Sequence, residues 1–337
     1  MSEKLVSIII PLYNTEKYIA KTLESAISQS YENIEIIVVD DGSSDGGAEI
    51  CRQYQQSDKR VRLIQQANKG LPGARNTGIR NSNGDYIAFL DADDIWSPVK
   101  VEKHVSHLEK SLDVGISFSY SAFIDEDGEC VGLFQKPRKL SGITPAYSIC
   151  RNPVGNGSAA FIRRQVFLDI EFEDNLYGIP EKYYFDERLR FQKADATDIE
   201  CWTRMISQTD WKMEGIPEVL TFYRINSGGL SANGPIQLQA LEAGLEKLCN
   251  LYPEQLMDSK KLAMAYYKRY IARRAVVSRD KQLAVKMANE FLTSDFRIVL
   301  QEPQRSLITF LAAYILLISP KSFFDILEGL GTKLAKS

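Results

Sequence analysis

The sequence predicts an α/β fold with a mostly parallel central sheet, flanking helices and a helical C-terminal extension. Three observations predict it. Short apolar, β-branched runs alternate with helical patterns over residues 5–112. The strand-like runs end in polar stretches rich in Asp, Asn or Gly. From Pro235 onward helical patterns dominate. Strand–helix–strand alternation at this spacing implies right-handed crossovers and parallel pairing, with ligands beyond the carboxyl ends of the strands.

The elements follow in order. Residues 5–12 (LVSIIIPL) read as a short buried strand. Glu16–Gln29 has helical spacing at Ile19, Leu23, Ala26 and Ile27. Ile34–Val39 is the second strand and runs into Asp40-Asp41-Gly42-Ser43-Ser44-Asp45. Ala48–Gln55 is helical, Val61–Ile64 is the third strand, and Pro72–Arg80 is helical. Tyr86–Leu90 is the fourth strand and ends in Asp91-Ala92-Asp93-Asp94. Pro98–Leu112 is a helix, with Ser97 as its cap and Pro98 in its first turn.

The pattern changes after residue 113. Val114–Ile124 and Cys130–Phe134 flank Asp125–Glu129, a hairpin signature. Residues 135–195 are irregular, with a strand over Gly157–Ile162. Ile199–Ser207 is a helix with Asp198 near its start, and Trp211–Tyr223 is β-rich. The chain of 337 residues thus divides into segments 1–112, 113–234 and 235–337. Hydrophobic residues at 44% and charged residues at 25% are those of a globular protein and exclude collagenous or low-complexity classes.

Five cysteines, odd in number, widely spread and without a CxxC, argue against a disulfide framework and suit a reducing cytoplasm. Met1–Leu5 carries no secretory pattern. The longest apolar run, Leu307–Ile318, falls short of the roughly 20 residues of a spanning helix. Residues 259–337 hold 14 Lys/Arg against 6 Asp/Glu, a net +8, and the preceding part, with 27 against 38, is at −11. An acidic front and a basic tail suggest two jobs.

The chemistry gathers at the strand ends. Asp91 and Asp93, one residue apart, can point to one rim and suit a hard cation, Mn²⁺ or Mg²⁺. Two carboxylates are too few for a complete cage, so phosphates and water would supply the rest. The plainer reading is a helix cap at Asp93 or Asp94. Asp41 could accept from a nucleobase N–H or ribose hydroxyl, against a plain turn with Asp45 as helix cap. Asn68–Gly78 (NKGLPGARNTG) places Gly70, Gly73 and Arg75 where a diphosphate would suit them. It is no P-loop, and no GxGxxG occurs.

Together, PLYN at 11–14, VVDDGSSDG at 38–46, NKGLPGARNTG at 68–78 and FLDADD at 89–94 resemble the family 2 inverting glycosyltransferases. The resemblance covers roughly residues 4–225 and implies the GT-A fold, a Rossmann-like sheet, and transfer from a nucleotide sugar. It implies that Pro11 and Tyr13 border a uracil, with Asn14 beside them. It implies that Asp41 bonds the base, and that Gly70 and Arg75 approach the diphosphate. Asp91 and Ala92 would lie near the ribose, and Asp93 would hold the divalent ion. Thr197-Asp198-Ile199-Glu200-Cys201-Trp202-Thr203-Arg204 matches the family's acidic residue before a tryptophan helix, with Thr197 in place of the usual Glu. Asp198 is then the catalytic base, and a helix N-cap is its compatible second reading. Glu200 is the runner-up base, Trp202 reads as a packing residue that could also touch an acceptor, and Arg224 could face the diphosphate or acceptor.

The activity implied is inverting hexosyl transfer, from a UDP-sugar by family habit, to a saccharide or lipid-linked saccharide in polysaccharide synthesis. The location implied is the cytoplasm, peripheral on the inner face of the membrane. No nucleic-acid partner is expected. Rival readings are a sugar-nucleotide nucleotidyltransferase and a silent sugar-nucleotide-binding assembly protein. His104 and His107, three apart with no third ligand nearby, read as ordinary helix residues. The basic pattern over 259–279, the apolar run 307–318 and the residues Phe323, Phe324, Ile326, Leu327, Leu330 and Leu334 suit an anionic membrane surface. A helical cap or a homo-oligomer interface is the alternative.

Overall fold

The computed structural model describes residues 3–191, 194–225 and 234–318. These fall into two compact units. Residues 3–144, 153–190 and 201–225 form the first, and residues 145–152, 191, 194–200 and 234–318 the second.

The first unit begins β1 (Val6–Leu12), α1 (Glu16–Ile27), β2 (Ile34–Asp40), α2 (Gly47–Ser57), β3 (Val61–Gln65), α3 (Gly70–Arg80) and β4 (Tyr86–Phe89). It continues with β5 (Ile95–Trp96), α4 (Lys100–Lys110), β6 (Val114–Ile124), β7 (Cys130–Gln135), β8 (Ala160–Arg163) and α5 (Arg164–Ile170). A ribbon of β9 (Phe172–Asp174) and β10 (Glu181–Tyr183) follows. The helix α6 (Thr197–Gln208) contributes its residues from Cys201 onward, and β11 (Lys212–Arg224) closes the unit.

Among the described residues one sheet runs β3-β2-β1-β4-β8-β6-β11-β5, with β7 hydrogen-bonded to β6. The expected parallel part is β3-β2-β1-β4. Its register aligns Leu12 with Asp40 and Asp40 with Gln65, so three strand tips end side by side. Beyond β4 the sheet is mixed, because β8 inserts antiparallel between β4 and β6. The hairpin signature at 125–129 is a β6–β7 hairpin, in which Asp125 Oδ1 accepts the amides of Asp127, Gly128 and Glu129.

Side-chain alternation along β1 explains the layers. Ile8, Ile10 and Leu12 bury into one core with Ile19 and Leu23 of α1, and Ile9 buries into the opposite core with Ile79, Phe89, Phe185 and Trp202. At Gly78 a Cβ would stand 2.3 Å from Ile9 Cγ2, so α3 lies directly on β1.

One boundary differs from expectation. The helix expected from Pro98 starts at Lys100, and Ser97 makes no side-chain cap. Ile95 and Trp96 pair with Phe222 and Thr221, and the Ser97 amide donates to the Leu220 carbonyl at 3.0 Å, so the sheet holds these residues extended.

A buried polar row lies behind the sheet. Lys100 has no exposed surface, and its Nζ sits 3.2 Å from His104 Nε2 and 3.2 Å from Thr221 Oγ1. His104 Nδ1 and His107 Nδ1 both contact Ser117 Oγ, at 2.7 and 2.8 Å. Burial lowers the Lys100 pKa to about 7 and holds that of His104 well below its ordinary value.

The second unit is built of helices: α7 (Gly234–Leu251), α8 (Lys260–Val277), α9 (Lys281–Ser294) and α10 (Pro303–Ile318), with the short helix Pro145–Arg151 against them. Its core gathers Leu245, Leu248, Ala263, Tyr267, Ala288, Phe291 and Ala313. Leu307, Ile308, Leu311 and Ile318 of α10 are exposed. Among the described residues no helix is long and apolar enough to cross a membrane. Phe323, Phe324, Ile326, Leu327, Leu330 and Leu334 lie outside the described residues.

Candidate active site

The tips of β1, β2 and β4 and the start of α3 bring most of the expected residues into the first unit. Pro11 is buried in the sheet opposite Val39, whereas Tyr13 is 53% exposed. Asn14 sits at φ +51, a region asparagine tolerates. Its amide donates to Ser43 Oγ at 3.2 Å, and its Oδ1 accepts the Ser44 amide at 2.8 Å, which ties the two loops together. Asp45 accepts from the Gly47 amide and from the Glu16 amide, so it serves the starts of both α1 and α2.

Asp41 is buried. Its Oδ1 accepts from the Lys69 amide and Gln66 Nε2, and its Oδ2 from the Gly70 amide, each at 2.7 Å. Burial raises its pKa, and these three donors partly offset that rise. Gly70 takes φ +76, which glycine reaches without strain.

Asp91 and its neighbours form a braced turn. The Asp91 amide donates to Ser158 Oγ at 2.9 Å, and that hydroxyl donates to Asp94 Oδ2 at 2.6 Å. Ala92 is buried, and its carbonyl, like that of Asp94, accepts from Thr22 Oγ1 at 2.9 Å. Asp94 has no exposed surface and also accepts the Arg224 amide at 2.9 Å. Burial, with Asp93 and Asp91 close by, raises its pKa well above the ordinary value. Asp91 and Asp93 keep partial exposure. The helix-cap alternative for Asp93 and Asp94 therefore gives way: Asp94 anchors the turn from inside.

Arg75 is fully buried. Its Nη2 donates to Asp91 Oδ1 at 3.0 Å, and its guanidinium lies 5.3 Å from the Phe89 ring and 5.5 Å from the Phe185 ring. With no exposed surface, it orients Asp91. Arg224 is likewise buried. Its Nε donates to the Asp93 carbonyl at 2.7 Å and its Nη1 to the carbonyls of Asp125 and Glu126. Trp202 packs in the aromatic core, 5.6 Å from Phe185.

Asp198 and Glu200 stand in the first turn of α6, in the second unit. That helix starts at Thr197, so Asp198 lies inside the turn and not at the N-cap. Asp198 is partly exposed. Glu200 is fully buried and pairs with Lys247 Nζ at 2.7 Å. Glu200, Trp202 and Arg224 are all buried.

Several residues here are not ones the sequence singles out. Ser158, in the turn Gly157–Ala159 just before β8, couples Asp91 to Asp94. Asn76 of α3 holds the 184–187 segment. Its Oδ1 accepts the amides of Tyr184 and Phe185, and its Nδ2 donates to Phe185 O and Glu187 Oε1. Arg190, three residues further on, lies over Gly70. Among the described residues no three His, Cys, Asp or Glu side chains form a metal-ligand set. Asp91 and Asp93 are hard oxygen donors of the kind Mg²⁺ or Mn²⁺ takes, fitting an ion completed by phosphate and water.

Residues 7–170 match the model of glycosyl transferase family 2. Escherichia coli WfaP, a UDP-Glc:alpha-D-GlcNAc-diphosphoundecaprenol beta-1,3-glucosyltransferase, is 33% identical over 68% of this chain and 81% of its own length. Glycosyltransferase GlyA of Streptococcus pneumoniae is 42% identical over 34% of this chain, which matches 17% of GlyA. The chain spans less than two thirds of the length of the first curated relatives it matches. S. aureus TarS 1–349 in complex with UDP-GlcNAc superimposes with a TM-score of 0.53 at 16% identity, over 91% of this chain and 79% of that one. Mannosyltransferase PcManGT from Pyrobaculum calidifontis, in complex with GDP-Man and Mn²⁺, does so with a TM-score of 0.53 at 18% identity, over 94% and 87%. At these identities the two structures bear on the fold alone.

Proposed function

Since this chain belongs to glycosyl transferase family 2, we propose that it moves a sugar from a nucleoside diphosphate sugar to a saccharide or lipid-linked saccharide acceptor. The observation that carries the reading is the braced acid turn: Asp91 is set by Arg75, Asp94 is locked by Ser158 and Arg224, and Asp93 stands between them with partial exposure. WfaP, named for UDP-Glc and a diphosphoundecaprenol acceptor, favours a UDP-sugar and a lipid-linked acceptor here too.

Asp41 receives the base, with Tyr13 free to lie against it and Pro11 and Asn14 holding the loop. Asp93, with Asp91 beside it, would hold a divalent ion, which when bound supplies positive charge to the departing diphosphate. Asp198 takes the proton from the acceptor hydroxyl. Attack on the face opposite the leaving group inverts the anomeric carbon. The exposed row Leu307, Ile308, Leu311 and Ile318, within a segment of net positive charge, supports peripheral attachment to an anionic membrane.

The test is release of free nucleotide from a panel of UDP-, GDP- and dTDP-sugars, with Mn²⁺ and a lipid-linked saccharide present. Acceptor-dependent release of UDP is expected. Release of pyrophosphate would indicate a nucleotidyltransferase, and binding without turnover a silent binding protein.

A further inference from the structure

We propose that Arg190 is a specificity-determining residue for the nucleobase of the donor, its guanidinium donating to a base carbonyl next to the N–H that Asp41 accepts. The proposal rests on the nucleotide-sugar reading above.

The geometry starts at Gly70. A Cβ built there would stand 2.4 Å from Arg190 Nε and 2.5 Å from Arg190 Cδ, so the arginine stem lies flat on the glycine backbone. Arg190 Nη2 donates to Asn68 Oδ1 at 2.6 Å, and Asn68 Nδ2 donates to the Asp41 carbonyl at 2.9 Å. The Gly70 amide closes the ring on Asp41 Oδ2. Arg190 is thus tied to the residue expected to meet the base, and the Asn76 contacts fix the segment that delivers it.

Charge makes the same point. The strand tips carry Asp40, Asp41, Asp91, Asp93 and Asp94. Arg75 and Arg224 are buried and serve Asp91 and main-chain carbonyls. The Lys69 ammonium turns to the Tyr177 ring, 4.4 Å from its centroid, and to Glu181 at 3.8 Å. Arg190 is exposed, and its planar fork holds donors beyond the one given to Asn68.

An ionised carboxylate only accepts and a guanidinium only donates. With the diphosphate anchored, uracil offers its ring N–H to Asp41 and the adjacent carbonyl to Arg190. Cytosine in the same pose offers a bare ring nitrogen to the carboxylate and an amino group to the cation, two mismatches on a pyrimidine of equal size.

The experiment is calorimetric titration of UDP and CDP, with Mg²⁺, into the full chain and its Arg190→Ala and Arg190→Lys variants. A charge-assisted hydrogen bond implies that Arg190→Ala weakens UDP about tenfold or more. CDP should change little, so the preference for UDP collapses. Arg190→Lys, a point charge without the fork, should recover only part of it. Equal losses for UDP and CDP, or no loss of UDP, would overturn the role of Arg190 and leave the functional reading standing. If the unaltered chain binds neither nucleotide, the functional reading falls first and this inference falls with it. Arg190 is exposed, so an unchanged melting temperature is expected and checks that the variants are folded.

Discussion

Arg75 Nη2 lies 3.0 Å from Asp91 Oδ1, the arginine without exposed surface and the acid 23% exposed. A wholly buried cation therefore holds a carboxylate at the rim, between two aromatic rings that exclude water from the guanidinium. Arg75→Ala leaves a cavity beside Phe89 and Phe185 and removes the partner of Asp91. We expect a loss of about 3 kcal/mol in urea unfolding, the low end for breaking a buried pair because Asp91 is partly solvated. Arg75→Lys should recover little, since an ammonium lacks the planar fork. A loss below about 1 kcal/mol, the level of an exposed pair, would show that the pair is not held this way.

Asp198→Asn keeps the size of the side chain and removes its basicity. Turnover should fall by about 10²–10⁴-fold, the range for a lost general base. UDP affinity should stay as it was. Full activity in this variant, measured by nucleotide release, would remove Asp198 from the chemistry.

Asp93→Ala should reduce the gain in UDP affinity that Mn²⁺ confers. Titrations with and without a chelator measure it. The same metal-dependent gain in the variant would mean that Asp93 holds no ion.

Lys100 links stability to pH. Its folded pKa of about 7 lies below the ordinary 10.5. Between those values the unfolded chain binds more protons than the folded one, so stability should rise as pH rises from about 7 toward 10. A shift of this size corresponds to roughly 5 kcal/mol. His104, also depressed, adds a loss of stability as pH falls below its ordinary value of 6.5. Lys100→Met should flatten the alkaline slope and raise stability at pH 7. Urea unfolding from pH 7 to 9.5 checks this, and parallel curves for the two proteins would contradict it.

Gly78→Ala would drive a methyl into Ile9 at 2.3 Å. Overpacking of this kind costs about 1–3 kcal/mol. Because α3 also carries Arg75, the variant should lose UDP affinity as well as stability. A variant that unfolds earlier yet binds UDP unchanged would show that α3 yields locally.

Residues 5–112 are legible in the sequence because their signals are local. Ile8, Ile10 and Leu12 alternate with Ile9 along one strand, and Ile19 and Leu23 repeat at helical spacing. The acids at 41, 91 and 93 are legible because they follow apolar runs. What surrounds them is not, because it comes from distant chain. Ser158 reaches Asp94 across 64 positions, and Asn76 reaches Phe185 across 109. The burial of Arg75, Glu200 and Arg224 likewise depends on tertiary packing that no spacing encodes.

The grip of Asn76 on the 184–187 segment has a practical corollary. That one amide satisfies two main-chain N–H groups, a carbonyl and the Glu187 carboxylate. Anyone transplanting the stretch NKGLPGARNTG into another scaffold would carry over a helix whose inner side expects a missing tenant. The portable module is therefore discontinuous, and a chimera should exchange residues 68–80 and 183–190 together or neither.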